Sequence, residues 1–234
     1  MRRLLTGLIA AALCTGQAAA QARDAVNPTC PAQPNWSDYK SMQFSASDRN
    51  GVKVLTAEGR IDSTTPTKLQ AALDAEPDVE EIWLRSPGGD ARAGTQAGYI
   101  IRQAGLLTRI PGGWTCFSAC NFMFMGGLAR FIDPGGIFMV HMFTHVGDGS
   151  ATRQAAARGG EQTVGLIGEI EQASALLATE DNDFLIRMGI SRNLLTEIMY
   201  QVRAVPTGPD RETRRCLTLE QAREYKVASG TFDG

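Results

Sequence analysis

Histidine is scarce in this sequence: the chain of 234 residues has two, His141 and His145. A histidine-rich metal site is therefore excluded. An excess of charge of one sign is also lacking. The formal net charge is −2, and without Arg2 and Arg3 it becomes −4, from 21 basic against 25 acidic residues. Such a chain carries no electrostatic footprint for nucleic acid or anionic lipid. No segment approaches the roughly eighteen uninterrupted apolar residues of a membrane span. What is present is ordinary globular material, 43% hydrophobic and 21% charged. That balance argues against disorder, collagen and coiled coil, and it suits one compact domain with a sizeable core.

The first twenty-two residues read as a secretory signal peptide. Arg2 and Arg3 form the positive end, Leu4 to Leu13 the apolar stretch, and Ala18 to Ala20 an A-x-A cleavage site. The expected mature protein starts at Gln21 or Arg23 and is soluble, in the periplasm or secreted. Four cysteines follow: Cys30, Cys116, Cys120 and Cys216. An oxidising compartment favours disulfides, with three pairings open. Zinc is the competing reading, but Cys116 and Cys120 lie four apart, outside the usual C-x₂-C spacing. A Cys116–Cys120 bridge needs Cα atoms within about 7 Å, which one helical turn permits.

Residues 23–50 show no clear period and read as a loosely structured lead-in to a single domain over 51–234. Val52 to Gly59 and Val79 to Arg85 suit strands, whereas Pro66 to Ala75 and Ala93 to Ala104 suit helices. Leu106 to Ile110, Ala129 to Ile132 and Gly136 to Met142 are strand-like as well. Strands alternating with helices predict an α/β fold with a mostly parallel sheet and crossover helices. Thr152 to Met188 has helical apolar spacing that ends at Gly189. Ser191 to Tyr200 continues as a helix, and Thr218 with Gln221 forms a capping box for a last one. Phe143 to Arg158, rich in Gly, Ala and Thr, reads either as an edge that pairs with an extended peptide or as a lid.

Three features carry chemistry. Ser86-Pro87-Gly88-Gly89 ends a strand, and a glycine N–H can approach a ligand closely; the turn is either an ordinary connection or an oxyanion donor. Ser118, among small residues at a strand-to-helix junction, is either a helix cap or a nucleophile favoured by free N–H groups, with the Ala119 N–H as a second oxyanion donor. His141, at the end of the apolar run from Ile137, is either a core histidine or the general base for that serine. His145 lies in a polar loop and is less constrained.

Taken together, Ser86-Pro87-Gly88-Gly89, Gly105-Leu106-x-Thr108, Ser118 between Cys116 and Cys120, His141, and Leu217-Thr218-x-Glu220-x-Ala222-x-x-Tyr225 resemble the Clp protease proteolytic-subunit family. The likeness spans Val52 to Ser229 and is nearest to exported members that work without an ATPase. It implies a crotonase-like fold of stacked ββα units with flanking helices, and a Ser, His, Asp triad. By that resemblance Ser118 is the nucleophile, His141 the base, and Gly89 and Ala119 the oxyanion donors. Arg214 stands where the family has its Asp, so Asp210 is the nominated third member, with Glu212 beside it. No metal or cofactor is implied. The expected partners are a peptide or unfolded protein as substrate and further copies of the chain, without an unfoldase. A Ser and Lys dyad, as in signal peptide peptidase A, is disfavoured because no lysine lies in a stretch expected to meet Ser118. An acyl-coenzyme A activity is disfavoured by export. A non-catalytic binding or assembly module is the reading from a different class.

Overall fold

The structure, a computed structural model, describes residues 22–142, 149–205, 207 and 213–229. The leader, apart from Ala22, lies outside them, as do His145, Asp210 and Glu212. The fold is α/β, built on two sheets flanked by helices. In the first sheet β1 (Gln43–Arg49) pairs antiparallel with β2 (Val52–Glu58). From β2 the sheet runs parallel through β3 (Glu81–Arg85), β4 (Leu107–Ile110) and β6 (Arg130–Ile132). Helix α1 (Thr65–Ala75) connects β2 to β3, and α2 (Ala91–Gln103) connects β3 to β4. Val54, Leu55, Ile82 and Leu84 are fully buried, as expected of a sheet covered by crossover helices.

The second sheet is smaller: β5 (Thr115–Phe117) runs parallel to β7 (Ile137–His141), which pairs antiparallel with β8 (Arg214–Cys216). Ser86, one residue past β3, bridges to Cys116 in β5. Its backbone accepts from the Phe117 N–H and donates to the Thr115 carbonyl. The end of the large sheet is thereby joined to the start of the small one, and the strand ends that carry Gly89, Ser118 and His141 gather at that junction.

Several elements depart from the sequence reading. The lead-in is partly regular, since β1 lies inside it; this edge strand takes its order from seven pairings with β2 rather than from apolar alternation. The helical stretch after the loop is two helices, α4 (Gly149–Arg158) and α5 (Gly160–Met188), broken where Gly159 adopts φ +118°. Residues 149–158 are therefore no peptide-pairing edge, because an Ala-rich run favours helix over strand. Ser191 to Tyr200 is not an α-helix but a π-helical turn (Leu194–Ile198) followed by a 3₁₀ turn (Met199–Gln201). Strand β8 carries charge at Arg214 and Arg215 and shows no strand signature of its own. Gly189 at φ +70° does end α5, and Thr218 with Gln221 does form a reciprocal capping box on α6 (Leu219–Glu224).

The cysteines form two disulfides, Cys30–Cys216 and Cys116–Cys120, which displaces the zinc alternative. The first staples the lead-in to β8. Buried Arg130 donates to the Gly127, Lys226 and Val227 carbonyls and so ties the C-terminal segment to β6. Among the described residues no helix is long and apolar enough to cross a membrane.

Candidate active site

Register creates the central contact. Phe117 stands opposite Met139 in the β5–β7 pair, so the residues just beyond, Ser118 and His141, meet at the same end of the small sheet. Ser118 Oγ lies 2.6 Å from His141 Nε2. That is hydrogen-bond reach for a hydroxyl and its general base.

The backbone at the serine is strained. Ser118 has φ +58°, a left-handed conformation that costs a residue with a Cβ roughly 1–2 kcal/mol. The strain allows β5 to reverse directly into α3 (Cys120–Met125). Three contacts hold the reversal. The Ser118 N–H donates weakly to the Met139 carbonyl at 3.4 Å, the Asn121 N–H donates to the Ser118 carbonyl at 2.8 Å, and the Cys116–Cys120 disulfide spans the turn. The Asn121 side-chain amide also donates to the Met139 carbonyl at 2.8 Å. Ser118 is therefore not acting as a helix cap: the cap position of α3 is Ala119, with no side-chain cap bond.

The Gly-Gly turn packs on this reversal. Gly88, at φ +82°, spends its N–H on Ser86 Oγ at 3.0 Å. A Cβ on Gly88 would stand 3.0 Å from the Ala119 nitrogen, so the two turns lie side by side. Among the described residues neither the Gly89 nor the Ala119 N–H has a backbone acceptor. Both residues line one cavity with Ser118 and His141. Helix α3 has only six residues, so any oxyanion stabilisation here comes from individual N–H groups rather than from a long helix dipole.

Aromatic packing fixes the His141 ring. The Phe117 ring lies 4.9 Å from the His141 ring and stacks on Trp36 at 5.7 Å. The Arg214 guanidinium covers Phe117 and Trp36, and Arg214 is the register partner of His141 in β8. Trp36 and Phe117 escaped the sequence reading because neither bears chemistry itself. The lysine dyad has no support: Lys53 pairs with Glu76, and Lys68 donates to Ser41.

The cavity beside Ser118 has a volume of about 230 Å³ and runs between α3, β7, α5 and the π-helical turn. Its walls are mostly apolar, including Phe122, Phe138, Leu177 and Leu195. One carboxyl interrupts them. Asp181 is 7% exposed, and burial, reinforced by the neighbouring Glu180, pushes its carboxyl up to about 7. A signal for it exists in the sequence: Leu177, Asp181 and Leu185 repeat every fourth residue on one face of α5, so an acid interrupts an apolar stripe.

Comparison with known proteins finds similarity at the level of structure only. No protein-family model matches the chain, and no curated protein matches it. Among solved structures, a mutant of ClpP1 from Listeria monocytogenes is similar at 15% identity and a TM-score of 0.49, over 77% of this chain and 91% of that one. A mutant of the 1510-N membrane-bound stomatin-specific protease is similar at 14% identity and a TM-score of 0.48, over 86% and 82%. Another mutant of that protease, in complex with a substrate peptide, is similar at 16% identity and a TM-score of 0.46, over 77% and 74%.

Proposed function

We propose that the protein is an exported, ATP-independent serine peptidase. The observation that carries this reading is the 2.6 Å contact between Ser118 Oγ, on a strained turn, and His141 Nε2, from a different strand. In this mechanism Ser118 Oγ attacks a peptide carbonyl carbon while His141 Nε2 accepts its proton. The N–H groups of Gly89 and Ala119 stabilise the oxyanion. The tetrahedral intermediate collapses, the C–N bond breaks, and the imidazolium protonates the departing amine. Water then gives a proton to His141 and attacks the acyl carbon, the ester C–O bond breaks, and His141 returns the proton to Ser118 Oγ. Asp210, or Glu212 beside it, serves as the orienting acid. The two disulfides support export, since such bonds persist in oxidising compartments. The substrates are peptides or unfolded proteins, and the chain self-associates.

A second reading, a non-catalytic binding module on the same fold, is favoured by one observation: a cation, Arg214, is the register partner of His141 where the resemblance calls for an acid nearby. A fluorophosphonate probe separates the two. The peptidase reading expects covalent label on Ser118 of the purified protein, lost in Ser118→Ala and His141→Ala. Absence of label under both oxidising and reducing conditions overturns it in favour of the module.

A further inference from the structure

The cavity lined by Ser118 is small. Its volume of about 230 Å³ falls below the roughly 300–1,000 Å³ of ordinary small-molecule sites, and it suits a single side chain. Its lining includes Ser118, Ala119 and Gly89, the residues that surround the reacting carbonyl in the peptidase reading. A cavity lined in this way suits the side chain of the residue that supplies that carbonyl.

Besides Ser118 and His141, two polar side chains line this apolar space, Asn121 and Asp181. Asn121 is buried, its amide nitrogen is committed to the Met139 carbonyl, and its Oδ1 has no donor among the described residues. Asp181 lies on the wall, with its carboxyl raised by burial and by Glu180 rather than lowered by any partner. Among the described lining residues there is no Lys or Arg. A buried acceptor left without a donor, as Asn121 Oδ1 is, is costly. The missing donor comes with the substrate.

Resting on the peptidase reading, we propose that this cavity is the subsite for the acyl-side residue and that Asp181 makes it select lysine. A lysine stem of four methylenes meets the apolar walls. Its ammonium brings three N–H donors, equal in number to the two Asp181 oxygens and the Asn121 Oδ1. Asp181 is thus a specificity-determining residue, separate from the orienting acid.

The groups facing Asp181 are Glu180 on its own helix, Tyr200 from the 3₁₀ turn, and His141 lining the same cavity from β7. A free carboxyl near pH 7 pairs with a cation only once ionised, so selectivity rises with pH. The test compares two fluorogenic peptides identical except for lysine or norleucine on the acyl side. Both depend on His141 equally, so the ratio of their kcat/KM values isolates Asp181. The expected ratio is about tenfold in favour of lysine near pH 8.5, falls towards parity near pH 5.5, and is abolished or reversed in Asp181→Asn and Asp181→Leu. A wild-type preference for norleucine, or a ratio flat with pH, overturns the assignment. Fluorophosphonate labelling run alongside tells this failure from failure of the peptidase reading. A catalysis-free arm uses Ser118→Ala protein and saturation-transfer NMR: n-pentylammonium is expected to bind better than n-pentanol, and equal binding overturns the proposal whatever the peptidase result.

Discussion

A Cβ placed on Gly88 would stand 2.7 Å from the Ser118 Cβ and 2.5 Å from the Phe117 carbonyl oxygen. The Gly-Gly turn and the serine turn are thus in backbone contact, and the first acts as a mould for the second.

Gly88→Ala should therefore disturb the site more than an ordinary surface change would. The left-handed backbone alone costs about 1–2 kcal/mol, and the contact forces the Ser118 turn to move. We expect loss of thermal stability in a melting curve together with at least a tenfold drop in the rate of fluorophosphonate labelling, since misplacement of about 1 Å at a reacting group costs on the order of 10²-fold.

Ser118 itself is held at φ +58°. Glycine relieves that conformation and alanine does not, so Ser118→Gly should be about 1 kcal/mol more stable than Ser118→Ala. Denaturant titration of the two variants measures the difference. Equal stability would mean that the turn is unstrained.

The two disulfides close loops of very different length, with sequence separations of 186 and 4. Loop-closure entropy makes the longer one the greater stabiliser, and removing it should cost about 2–5 kcal/mol. The Cys30→Ser, Cys216→Ser pair is expected to show a large fall in melting temperature. The Cys116→Ser, Cys120→Ser pair should fall less but label more slowly, because its bridge spans the Ser118 turn.

Asp181 makes a pH signature. Burial pushes its carboxyl up to about 7 from an ordinary 3.8. Between those values the folded state holds a proton that the unfolded chain has released, so this group's contribution to stability falls as pH rises from about 4 to about 7 and is level above that. At about 1.4 kcal/mol per unit the loss reaches an upper bound of about 4 kcal/mol. Asp181→Asn should gain on the wild type over that range in paired melting curves. Curves that stay parallel would sink the assignment of a buried, unpaired carboxyl.

The order of elements along the chain was legible in the sequence. Strands and helices from Val52 to Ile110 follow apolar periodicity, which is local, and the glycine pair, the serine and the histidine announce themselves by residue type. The fold class followed from their alternation. What the tertiary structure decided is everything that depends on register and on contacts between distant segments. The pairing of Phe117 with Met139 sets the 2.6 Å separation of Ser118 and His141. Strands β1 and β8 exist because neighbours supply their hydrogen bonds. The choice among three cysteine pairings depended on which Cα atoms the fold brings close. The apolar stripe of α5 marks Asp181 as out of place, but only the packing of α5 buries it beside the cavity, because burial, unlike periodicity, is a property of what lies opposite.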